Sequence, residues 1–204
     1  NLGTNTQLKA SADRPLTIYA GDFYGNGTML PILSMYHGDR MSPLYSKDEL
    51  ADQIPTLQKR FQKYDDYADA SITDIFDASQ LNRAYKAQVR TLSSIALFND
   101  AGKTLKPLVL PNRVQLSAIR AMVPIRSDKD ALPHWLIAGN MYPFRTSLGP
   151  LDASIGAVMY WDPHSGFGTI PYRETGLQIP GDVRDMVTLR SGRGRLIAIA
   201  RNDG

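Results

Sequence analysis

The sequence predicts an all-β protein made of partial β-propeller: about two and a half blades of four antiparallel strands, with a helical insertion at about 46–88. Three observations predict it. Five pairs of short apolar runs are each joined by a turn rich in Gly, Asn, Asp or Ser, which is the hairpin signal. One segment alone is polar with helical period. A strand–loop–strand unit also recurs at roughly 60 residues once that segment is set aside, the repeat length of a four-stranded blade. The whole of 1–204 is therefore read as part of one propeller domain.

The elements follow in chain order. Residues 16–20 and 31–36 flank Gly25-Asn26-Gly27 as a first hairpin. In the helical segment, Ser46 and Glu49 fit a capping box. Leu50, Ile54, Leu57, Phe61 and Tyr64 recur at steps of three and four along one face, and Pro55 splits it into two short helices. A second run holds Ile72, Ile75, Phe76, Leu81 and Tyr85. Residues 91–98 and 105–110 make a second hairpin around Asn99-Asp100-Ala101-Gly102, and 118–125 with 135–138 a third. Residues 155–161 and 168–172 make a fourth, and 183–189 with 196–200 a fifth. The repeat is carried by residues 16–33, by 116–137 and, more weakly, by the stretch from Gly181.

Composition narrows the function. Of 204 residues, 43% are hydrophobic and 21% charged, a globular balance that excludes wholesale disorder. No apolar run has the length of a membrane-spanning helix, and no leader is visible before the first strand. The absence of cysteine excludes disulfides, thiolate metal sites and cysteine nucleophiles. A net charge of +3 is too small to argue for nucleic acid. The one basic cluster, Arg190, Arg193, Arg195 and Arg201, centres on a Gly-Arg-Gly turn and reads as solvated arginines on a hairpin tip.

Gly21-Asp22-Phe23-Tyr24-Gly25-Asn26-Gly27, set before a strand, resembles the Asp-Phe-Asn-Gly-Asp-Gly loop of FG-GAP/VCBS repeats, which build seven-bladed propellers such as integrin α-chain heads. A closer similarity is to the ASPIC-type surface proteins of Bacteroidetes, carried by Ser46-Lys47-Asp48-Glu49-Leu50, residues 67–76, Ile137-Ala138-Gly139-Asn140-Met141-Tyr142, and residues 152–156, 181–185 and 200–203. The resemblance implies a C-terminal portion of a propeller, a full ring needing about twice this length. It also implies an extracytoplasmic lipoprotein of the cell surface or outer membrane, working through protein partners.

The family loop holds calcium through oxygens at its positions 1, 3, 5 and 9. Here those positions are Asp22, Tyr24, Asn26 and Leu30, and in the second copy Arg126, Asp128, Asp130 and His134. Calcium takes six to eight oxygens. These degenerate loops, with Asp22, Asn26, Asp128 and Asp130 as their remaining ligands, are expected to stand empty and to keep their turns by side-chain-to-backbone bonds. No cofactor is expected.

Catalysis finds little material. His37, His134 and His164 show no metal-ligand spacing, no Gly-x-Ser-x-Gly elbow occurs, and Asp65-Asp66 do not face one another on a helix. One polar constellation remains: Asn140, Tyr142, Arg145, Asp152 and Ser154 in or beside a long loop after a strand, with Trp161 further along the chain and Arg184 and Asp185 at the start of the last blade. It reads either as a network stapling neighbouring sheets or as a ligand patch with Tyr142 and Trp161 as stacking platforms for a glycan. The chain is expected to be no enzyme. It is expected to be a propeller module mediating protein–protein interaction in a surface or outer-membrane assembly; the alternative is a glycan-binding module for polysaccharide capture.

Overall fold

A computed structural model describes residues 1–126, 131–192 and 194–202. Strand takes 41% of the chain and helix 19%, so the fold is mostly β. Every sheet is antiparallel, holds two to four strands, and stays open. The chain divides into two compact units: residues 8–91, and residues 1–7 with the described part of 92–204.

In the first unit, β1 (Leu16–Gly21), β2 (Leu30–His37) and β3 (Arg40–Pro43) form a meander. Five short helices follow: α1 (Lys47–Gln53), α2 (Thr56–Arg60), α3 (Tyr64–Ala68), α4 (Ile72–Ile75) and α5 (Ala78–Arg83). The chain then returns as β4 (Tyr85–Val89) on the free side of β1, giving the order β3-β2-β1-β4. The helices pack on one face of this sheet. Tyr19 and Ile32 from the strands meet Leu50, Ile54, Leu57 and Phe61 from the helices in one core. The Phe23 and Phe76 rings close at 4.4 Å.

Local chemistry explains these breaks. The Ser46 hydroxyl accepts from the Glu49 N–H while the Glu49 carboxylate accepts from the Ser46 N–H, the reciprocal cap expected of that pair. Ile54 ends α1, and Pro55, which cannot donate within a helix, starts α2. Two expectations need correction. Tyr64 does not continue the buried face: it is 62% exposed, its hydroxyl donates to Asp48, and Lys47 lies over its ring. The chain leaves the helix at Phe61 and restarts at Tyr64, which resets the phase and gives the buried place to Tyr67. The helical insertion also ends at Arg83, not at 88. Ala84 is extended, and Tyr85 pairs with Ala20 as a strand residue, because the edge of β1 needs a neighbour.

The second unit is a stack of three layers. Its middle is a four-stranded meander of β7 (Ile119–Ile125), β8 (His134–Gly139), β9 (Ala157–Asp162) and β10 (Gly166–Ile170) in the order β10-β9-β8-β7. Two-stranded ribbons cover its faces: β5 (Ile95–Asp100) with β6 (Thr104–Val109), and β11 (Asp182–Ser191) with β12 (Gly194–Asn202). A single turn of helix, α6 (Tyr172–Thr175), lies between β10 and β11. Along β8, Leu136 and Ala138 join Val183 and Met186 in one core, while Ile137 joins Leu110 and Val114 in another. Alternate side chains of an extended strand face opposite ways, so a middle strand buries side chains on both faces, as β8 does from Leu136 to Ala138.

All five predicted hairpins are present. The grouping of the second is a finding beyond them: β5–β6 stands as its own ribbon outside any four-stranded sheet, and Pro107 in β6 suits such an edge strand. Among the described residues, no helix is long and apolar enough to cross a membrane.

Candidate functional site

Two places in the second unit concentrate polar chemistry. The first lies where β8 ends and β11 begins. Asn140 is fully buried, with φ of 150°, a backbone region costly for residues with a Cβ. Its Nδ2 donates to the carbonyls of Ser154 and Gly181, both at 2.9 Å, and its Oδ1 accepts from the Ser154 N–H at 3.1 Å. Gly139, just before it, passes so close to the Ala118 carbonyl that a Cβ there would sit 1.8 Å from the oxygen.

A bulge in β11 between Val183 and Asp185 sets Arg184 out of the ladder register, as bulges do when they re-aim a side chain. The Arg184 guanidinium reaches back to within 2.8 Å of the Asp182 carboxylate, whose side chain is wholly buried. Asn140 therefore ties the end of β8 to Ser154 and to Gly181 just before β11, while the Arg184–Asp182 pair is local to β11.

The other residues of the predicted constellation spread out. Tyr142 and Arg145 are half-buried in the segment after β8, where the Tyr142 carbonyl accepts from Phe144 and the Arg145 carbonyl from Leu148 and Gly149. Asp152 is exposed beside Leu151, which bridges back to Met141. Trp161 is not brought to Asn140. It sits four residues, about 13 Å, beyond Ala157 along β9. Its ring centroid is 4.7 Å from that of Phe167, and Phe167 in turn lies 6.3 Å from Trp135.

The Gly21–Gly27 turn spends its carboxylate on the backbone. Asp22 Oδ1 accepts from Gly25 and Asn26, and Oδ2 from Gly27 at 2.8 Å. These bonds, Gly27's foremost, hold the Asp22 carboxyl below its usual range. Asn26 Oδ1 accepts from the Thr28 N–H. Asp128 and Asp130 of the second loop lie outside the described residues, as do Arg193 and Asp203. Among the described residues no three His, Asp or Glu side chains gather as a metal would need.

The second place is a cleft of about 740 Å³ that the sequence reading did not single out. Its floor is aliphatic: Leu136 and Val158 from the meander, Leu177 after α6, and Ile197 from β12. Around it stand Arg126, His134, Tyr160, Asp162 and Glu174. His134 is buried, and its Nδ1–H donates to the Leu132 carbonyl at 2.8 Å. Tyr160 faces it across the ladder with ring centroids 5.9 Å apart. Gly168 makes room for Tyr160, since a Cβ there would lie 2.3 Å from the ring. The Asp162 carboxylate accepts from the N–H groups of His164 and Ser165, and those bonds hold its carboxyl below the usual range. Gly176, at φ 64°, closes α6 and turns the chain so that Leu177 enters the floor. One sequence signal was available: His134, Leu136, Val158 and Tyr160 occupy alternating positions of paired strands, hence one face. Comparison of the chain with family models, with curated proteins and with solved structures gives no match.

Proposed function

We propose that the chain is a non-catalytic β-propeller module of the FG-GAP/VCBS kind, whose work is to hold other proteins in a cell-surface or outer-membrane assembly. One observation carries this reading. Both outer layers of the three-layer stack turn apolar side chains outward. Ile95, Leu97, Leu105 and Val109 are exposed on β5–β6, and Val187, Leu189 and Leu196 on β11–β12, with Val109 as much as 82% exposed. A two-stranded ribbon in water is marginal by itself. A ribbon apolar on both faces has the pattern of an inner layer, and contiguous apolar patches mark surfaces that meet other protein. Radial packing of blades supplies that cover for each sheet in a propeller.

Isolation of the native protein, chemical crosslinking and mass spectrometry test the proposal. A stable complex with membrane proteins, crosslinked near residues 95–109 or 187–198, is the expected result. A lone species retained on a polysaccharide column overturns it in favour of glycan capture. That second reading draws on the half-buried Trp135, Trp161 and Phe167, whose rings form an aromatic run along one face of the meander.

A further inference from the structure

We propose that the cleft around Tyr160 binds an extended peptide segment of a partner protein, seating a bulky aliphatic side chain between basic neighbours. Three observations converge on this occupant. The floor of Leu136, Val158, Leu177 and Ile197 is aliphatic and suits a branched alkyl side chain, while the cleft's volume of about 740 Å³ falls within the usual range of ligand sites.

The charges around the floor favour a cation. Asp162 and Glu174 contribute two carboxylates against the single guanidinium of Arg126 among the described lining residues. Asp162 is held in place by its own turn, so its carboxylate is presented without a cost in side-chain freedom. An alkyl carboxylate would meet repulsion where a lysine or arginine would meet a partner.

The third observation selects a main chain. Ile170 of β10 lines the cleft, and β10 is an edge strand of its sheet. The outer side of an edge strand presents N–H and C=O groups to an added strand, whose alternate side chains then fall on one face. A peptide paired to β10 would place every second residue over the cleft.

This inference concerns one site on the second unit and stands apart from the propeller reading. The test is an amide NMR titration of the full 204-residue chain with acetyl-Gly-Lys-Leu-Lys-Gly-amide, and in parallel with acetyl-Gly-Glu-Leu-Glu-Gly-amide and sodium decanoate. The basic peptide should give saturable shifts at Leu136, Tyr160, Leu177 and Ile197, with further shifts at Gly168 and Thr169 of the strand edge. Its Kd should be lower than that of the acidic peptide by about tenfold, the sum of a few exposed charge pairs. Glu174→Lys, a change at an exposed position, should remove that preference while leaving the amide spectrum elsewhere unchanged. Shifts scattered away from the cleft, equal affinity for both peptides, or decanoate reproducing the same shifts would each overturn the proposal. Failure here leaves the crosslinking result untouched, and failure of the crosslinking leaves this titration untouched.

Discussion

The side-chain amide of Asn140 donates to the main-chain carbonyl of Gly181 at 2.9 Å, joining chain positions 41 residues apart at the root of β11. The same side chain closes a two-way exchange with Ser154. Asn140→Ala strips partners from two half-buried carbonyls and one N–H at once. It also leaves a β-carbon at a positive φ without the side-chain bonds that held it there. A loss of about 3 kcal/mol is expected, following the cost of unsatisfied buried groups. Urea unfolding of wild type and variant measures it, and a change under 0.5 kcal/mol would refute the staple.

Arg184→Gln should be costly for a different reason. Asp182 is wholly buried, and the Arg184 guanidinium 2.8 Å away supplies its countercharge. Breaking such a pair leaves a buried charge behind, with a typical penalty of about 3 kcal/mol. Replacing both residues, as Asp182→Asn with Arg184→Gln, should recover a good part of that loss. A double-mutant cycle in urea reads the coupling directly.

Gly139→Ala tests the close approach of two backbones. The new methyl would sit 1.8 Å from the Ala118 carbonyl oxygen, a contact that only main-chain movement relieves. Overpacking of this kind costs about 3 kcal/mol. Thermal unfolding should show Tm falling by many degrees, whereas Gly192→Ala, where a Cβ meets nothing within 4 Å, should leave it nearly unchanged.

The Asp22 turn predicts a sign for acid behaviour. The N–H groups of Gly27, Gly25 and Asn26 hold its carboxyl below the usual value. A group depressed on folding stabilises the fold above its unfolded value, near 3.9, and that contribution disappears as pH falls through the lower folded value. Wild type should therefore lose stability more steeply than Asp22→Asn below about pH 4. Because the carboxylate is committed to the backbone, a chelator should move Tm by less than about 1 °C. A shift of several degrees would show that the turn carries a metal.

Much of this architecture could be read from residue patterns. The hairpins were legible because Gly, Asn and Asp mark turns wherever the chain must adopt left-handed backbone. The capping box at Ser46 was legible because it is local. What could not be read were effects decided by distant neighbours. Tyr64 obeyed the helical spacing on paper, yet the break at residues 62–63 turned it to solvent. Tyr85 looked like one more helix position until the open side of β1 claimed it as a strand. In the candidate site, Asn140 and Ser154 could be grouped from their closeness in sequence. Trp161 could not be separated from them, since only strand register reveals the distance between two ends of β9. The cleft escaped notice because its residues come from β7 to β12, with no motif linking them.

The return of β4 to β1 has a kinetic meaning. In the second unit, β7 to β10 pair only with their immediate successors, so each contact closes a short stretch of chain. In the first unit, Leu16 must wait for Val89, a closure of about 70 residues that repays its entropy only after the intervening helices have condensed. The meander should thus gain protection from hydrogen exchange early in refolding, with the β1–β4 edge the last to become protected.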